Sequence, residues 1–172
     1  AAFAAPGTFK EIFIVVPARE RALGEALRRK WSELPLVIID EEAILPVLRS
    51  TGAWGWYRQQ LIKLRVAELS STEFFVTFDA DVILCKPMSG NDLVRGGKAL
   101  LQKETRSYHP DWWAGSARVL GLPLDPEAEG MSVTPAVLSR SICKRLFTHL
   151  KDRFGEDWPT ALLRRTSWAW TE

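Results

Sequence analysis

Histidine and cysteine are both scarce, two of each in 172 residues. Cys85 and Cys143 lie far apart and form no C-x-x-C pattern. That excludes a disulfide framework and a zinc knuckle, and leaves reduced core thiols in a cytosolic compartment as the expectation. His109 and His149 are too few for a His-rich metal site. No apolar run reaches the ~20 residues a bilayer-spanning helix needs. Excess charge of one sign is missing as well: 23 basic against 21 acidic residues give a net +2. Binding of nucleic acid through bulk charge is therefore not expected. No glycine-rich phosphate loop follows Pro17, which argues against a nucleotidyltransferase. There is no internal repeat and no low-complexity segment. AAFAA at the start is short and lacks the basic flank of a signal peptide. With no initiating Met and an abrupt end at SWAWTE, the chain is expected to be a fragment, shortened at its C-terminus.

What is present is a core. Hydrophobic residues make up 47% of the chain, enough for a single domain over residues 1–172. Glu11 to Pro17 (EIFIVVP) and Leu34 to Asp40 (LPLVIID) are continuously apolar and rich in β-branched residues, as buried strands are. Ala18 to Trp31 reads as a helix. After a break at Gly52 to Gly55, Trp56 to Ser70 reads as a strong helix, with Tyr57, Leu61 and Leu64 at helical spacing. Phe74 to Phe78 is a third strand. Strands alternating with helices predict an α/β domain with a mostly parallel sheet flanked by helices. Beyond Pro87 the pattern loosens. KALLQ suggests a strand and Pro110 to Leu120 a short helix. A long helix is expected from Thr134 as N-cap, with Pro135 in its first position and Gly155 just past its end. Its apolar face would carry Leu138, Ile142, Leu146, Leu150 and Phe154. A last short helix is expected from Pro159.

Five largely apolar residues run into two aspartates in FFVTFDAD, although a lone carboxylate is very costly to bury. In open parallel sheets, ligands bind outside the carboxyl ends of the strands. Three strand ends are distinctive here: Pro17-Ala18-Arg19-Glu20, Asp40-Glu41-Glu42 and Asp79-Ala80-Asp81. A crossover helix over Trp56 to Ser70 would begin at the edge that carries Asp79. Gln59, Gln60 and Lys63 fall on one face of it and suit a nucleotide diphosphate. Two neighbouring carboxylates repel each other, and Mg²⁺ or Mn²⁺ relieves that repulsion while leaving positions for phosphate oxygens.

This arrangement resembles the GT-A-fold glycosyltransferases, whose D-x-D motif follows a buried strand. More narrowly, GWYRQQLIKLRVAELSSTEFFVTFDADVILCKPM is similar to a bacterial family of D-x-D glycosyltransferases with a W-Y-x-Q-Q helix. GMSVTPAVLS and the terminal WTE also look like that family. The resemblance covers most of the chain. It implies a nucleotide-binding half at about 10–88 and an acceptor-side half at about 89–172. It also implies Mn²⁺ or Mg²⁺ as cofactor, a nucleotide-diphosphate sugar as donor, and a glycan or lipid as acceptor. Asp79 would contact ribose or metal, Asp81 would hold the metal, and Pro17, Arg19, Glu20 and Asp40 would lie near base and ribose. Glu172 would be an acid or base near the acceptor, where the chain departs from the pattern by ending. A cytoplasmic place, compatible with the inner face of a membrane, is the expectation, in line with the reduced cysteines.

Other readings of these residues stay open. Asp79 and Asp81 also match the first motif of haloacid-dehalogenase-type phosphatases, with Asp79 as nucleophile. Two strand-helix units precede the motif, which counts against that reading. A non-catalytic domain that binds a nucleotide or glycan is a further alternative. Asp157 is either a catalytic base in the pair Glu156-Asp157 or the cap of the last helix. Glu41 and Glu42 read as first-turn acids. Trp112 and Trp113 either stack on a sugar or pack in the interior, and His109 reads as a loop residue.

Overall fold

The computed structural model describes residues 4–53, 55–131 and 134–165. Strand β1 (Ile12–Val16) leads through a 3-10 turn into helix α1 (Arg21–Lys30), and β2 (Leu36–Asp40) returns beside β1. The two strands pair in parallel, from Ile12 opposite Leu36 to Val16 opposite Asp40. α1 lies close on β2 because Gly24 has no side chain: a Cβ there would stand 2.6 Å from Cγ2 of Ile38. A short helix α2 (Glu41–Ile44) and a 3-10 turn follow, then the long helix α3 (Gly55–Leu69) and β3 (Phe74–Thr77).

The second half holds β4 (Val94–Arg95) paired with β5 (Lys98–Ala99), and β6 (Glu104–Thr105) paired with β7 (Glu129–Gly130). Helix α4 (Pro110–Leu120) lies between β6 and β7 and ends on Gly121 at φ +68°, where a left-handed residue closes the last turn. Then come β8 (Ala136–Ser139), α5 (Arg140–Phe154) and α6 (Trp158–Arg165).

The protein is thus a mixed α/β domain, but its described strands form four separate pairs, one parallel and three antiparallel. The expected continuous, mostly parallel sheet is not what these strands build. β3 pairs antiparallel with β8, Phe74 opposite Ser139 and Thr77 opposite Ala136. Residues 136–139 are therefore a strand, not the first turn of the long helix. The true N-cap is Ser139, whose hydroxyl accepts from the Ile142 N–H at 3.2 Å. The apolar face shifts accordingly. Cys143, Phe147 and Leu150 are buried, while Ile142 is 57% exposed. Gly155 ends α5 as expected, at φ +69°. The KALLQ strand shrinks to Lys98–Ala99.

The core is helical. Leu61 and Leu64 of α3, Phe147 and Leu150 of α5, and Trp158 and Leu162 of α6 meet Leu45 and Leu48 from the segment after β2. Phe147 and Trp158 stack with ring centres 4.5 Å apart. Each fully buried leucine here is worth roughly 1.5–3 kcal/mol. Cys143 is a buried free thiol, its pKa pushed up to about 11 by burial, whereas Cys85 is exposed, against the expectation of two core thiols. Among the described residues, no helix is long and apolar enough to cross a membrane.

Candidate functional site

A cavity of about 800 Å³ runs along β3, every residue of which lines it, and is bounded opposite by Ile12, Phe13 and Val15 of β1. β1 and β3 are paired on one side only, to β2 and β8, and do not join each other. They start from the same end, since the Ser71 hydroxyl donates to Glu11 at 3.0 Å. The wall between them is α3, which contributes Gln59, Ile62, Lys63 and Val66. These residues recur every three or four positions, so one helical stripe faces the cavity. They come from the middle turns of α3. Of the residues expected to cradle a nucleotide diphosphate, Gln59 and Lys63 line it and Gln60 does not.

At one end of this cavity β3 releases its two acids. Asp79 lies two residues past the strand, and its carbonyl accepts from the Val82 N–H at 3.1 Å, turning the chain. Its carboxylate meets the ammonium of Lys63 at 3.0 Å. The Lys63 side chain is only 11% exposed and that of Asp79 38%, so the pair sits where wall opens to solvent. The lysine stem is buried along the helix stripe while its charged tip reaches the mouth. Asp81 is exposed two residues further and has no side-chain hydrogen bond or ion pair among the described residues. Asp79, Lys63 and Gln59 are therefore brought together, with Asp81 beside them in sequence at the open end.

The other expected site residues are placed differently. Gln60 is 2% exposed and belongs to the core side of α3, not to the cavity. The signal was in the sequence: Tyr57, Gln60, Leu61 and Leu64 share the buried stripe at i, i+3, i+4 and i+7. Asp40 ends β2 opposite Val16 of β1, and Pro17 follows Val16, so the two share one sheet edge, but neither lines the cavity. Asp40 caps α2, accepting from the Glu42 N–H at 2.9 Å. Arg19 and Glu20 are exposed and pair with each other at 3.4 Å. Asp157 directly precedes α6, and its carbonyl accepts from the Ala161 N–H at 2.9 Å. Its neighbour Glu156 is held by Arg164 and Arg165. Glu172 lies outside the described residues.

Trp112 is half-buried and stacks with His109 at 4.1 Å and Trp56 at 5.2 Å between ring centres, so it packs against its own neighbours. Trp113 lies against Gly130 under the guanidinium of Arg106. Sequence reasoning missed the ion pair of Arg58 with Glu41, a residue read as a first-turn acid. It also missed the Thr8 to Glu11 segment that lines the cavity ahead of β1. No spacing rule links these positions, so only the tertiary fold reveals them.

A family model matches the chain over residues 1–172. The chain belongs to the family of unknown function DUF6492. No curated protein and no solved structure matches it. Among the described residues of this DUF6492 chain, no group of three or more His, Cys, Asp or Glu side chains could hold a metal ion. Of the two carboxylates of this D-x-D turn, Asp79 lines the cavity, and Asp81 follows two residues later.

Proposed function

We propose that this protein binds a nucleotide-diphosphate sugar together with Mg²⁺ or Mn²⁺ and transfers the sugar to a glycan or lipid acceptor, on a GT-A-like scaffold at the cytoplasmic side. The observation that carries the reading is the meeting of Lys63 with Asp79 at 3.0 Å, at the mouth of a cavity that Gln59 also lines. A cation and two carboxylates at one strand exit form a mixed-charge site, which suits a metal-bound diphosphate better than a simple anion or cation.

The donor set fits the ion. Mg²⁺ and Mn²⁺ are commonly held by one or two carboxylates, with water and substrate phosphates completing the shell. Asp81 is exposed and has no ion-pair partner among the described residues, and Asp79 is partly exposed. A third protein ligand is not needed when phosphate oxygens supply the remainder. When bound, such an ion neutralises charge that develops on the leaving diphosphate. The chain's own residues then have distinct tasks. Asp81 holds the ion, Lys63 directs its ammonium to diphosphate oxygens, and Gln59 supplies an amide to phosphate or ribose. Pro17 and Asp40, at the neighbouring sheet edge, are in reach of the base side only if the donor extends beyond the cavity mouth.

The test is turnover. Incubation with UDP- and GDP-linked sugars and Mn²⁺ should release nucleotide diphosphate slowly even to water as acceptor. Chelation or Asp81→Ala should abolish the release. Absence of release from every donor, with hydrolysis of a generic phosphate ester that disappears in Asp79→Ala, would replace this reading with the phosphatase.

A further inference from the structure

We propose that Lys63 masks Asp79 against free metal ions and hands it over only when a diphosphate arrives, so that the ion and the nucleotide must bind together. The inference rests on the glycosyltransferase reading and deepens it. Three observations carry it. Asp79 already has a cationic partner in the ligand-free protein, the Lys63 ammonium at 3.0 Å. The lysine is the more deeply placed of the two, 11% exposed, so its stem cannot simply swing into solvent. Asp81, the other carboxylate, is exposed and has no such partner among the described residues.

The consequences follow from charge. A divalent cation brought to Asp79 stands within a few ångströms of the Lys63 ammonium, and the two repel. Free Mn²⁺ is thereby left with Asp81 as its single undisputed ligand, and a single carboxylate holds such an ion poorly. A diphosphate changes the balance. Its oxygens accept the Lys63 hydrogen bonds, the ammonium turns from Asp79 to phosphate, and Asp79 becomes available to the ion that the same diphosphate carries. Lys63 is a positioning residue in this scheme: it sets the order of binding, and its exchange of partners needs no bond to form or break. The arrangement also keeps the cleft from filling with bare metal, which would compete with the metal-bound donor.

The scheme predicts opposite signs for one substitution. Lys63→Gln should tighten the binding of Mn²⁺ alone by about tenfold or more, because the competing cation is gone. The same variant should weaken the binding of UDP and GDP in the presence of Mn²⁺. Lys63→Arg, which keeps the charge, should behave as wild type toward Mn²⁺ alone, and circular dichroism checks that both variants are folded. Loss of the Mn²⁺ electron-paramagnetic-resonance signal on titration reads the metal arm without any turnover. A tighter Mn²⁺ site in Lys63→Gln but not in Lys63→Arg supports the masking. Unchanged or weaker Mn²⁺ binding in Lys63→Gln overturns it. Absence of nucleotide binding by the wild type overturns the proposed function, while the metal arm still decides the masking by itself.

Discussion

Arg58 donates a hydrogen bond to the carboxylate of Glu41, seventeen residues earlier in the chain. Both side chains are largely buried, 21% and 11% exposed, and Arg58 also donates to the Leu48 carbonyl at 3.0 Å. The contact ties the start of α3 to the segment that leaves β2. It therefore helps set the pose of the helix that carries Gln59 and Lys63.

Removing one partner of that pair should cost more than removing both. Glu41→Ala leaves a guanidinium half-stranded and should destabilise by about 2–4 kcal/mol, the residual exposure of Arg58 keeping the figure below that of a fully buried pair. The double replacement Glu41→Met with Arg58→Met should cost less than Glu41→Ala alone. Urea midpoints of the three proteins check the order.

Gly130 is the floor on which Trp113 rests. A Cβ built there would lie 1.9 Å from Cζ2 of the indole, and the chain cannot yield easily because Gly130 is paired with Glu104 in the β6–β7 ladder. Gly130→Ala should force the ring away from Arg106 and destabilise by about 1–3 kcal/mol. A lowered urea midpoint with altered near-ultraviolet dichroism is the expected result.

Acid should loosen the join between β3 and α5. The Glu73 carboxylate accepts from the hydroxyls of Ser139 and Ser141, each at 2.6 Å, and these bonds hold its pKa below the ordinary 4.5. A folded-state pKa below the unfolded one contributes stability that is complete above pH 4.5 and is lost as pH falls through the lower, folded value. Glu73→Gln should therefore show a shallower loss of stability than wild type between about pH 5 and pH 3. Thermal unfolding across that range measures it.

Much of the fold was legible where local signals were strong. β1, β2 and β3 were found because continuous apolar runs rich in β-branched or aromatic residues have few other uses, and α4 was expected from Pro110 to Leu120, its observed span. The pairing of β3 with β8 was not legible. Thr134 and Pro135 mimic a helix start, and nothing local distinguishes AVLS as a strand from a buried first turn until Phe74 to Thr77 is laid beside it. The candidate site was legible in part. Lys63 and Asp79 were both singled out and do meet, because α3 runs directly into β3 and its Lys63 stripe lines the same cavity as that strand. Gln60 was misassigned although its spacing from Tyr57 and Leu64 marked it as a core position. Asp40 followed the other rule available to it, that an acid ahead of a helix caps it.

The most direct test of the account is calorimetric titration of UDP and GDP into the protein, with and without Mn²⁺, for wild type and Asp81→Ala. The account predicts binding of at least one nucleotide that requires Mn²⁺ and is lost in Asp81→Ala. Nucleotide binding that is indifferent to both Mn²⁺ and Asp81, or no binding at all, would contradict it.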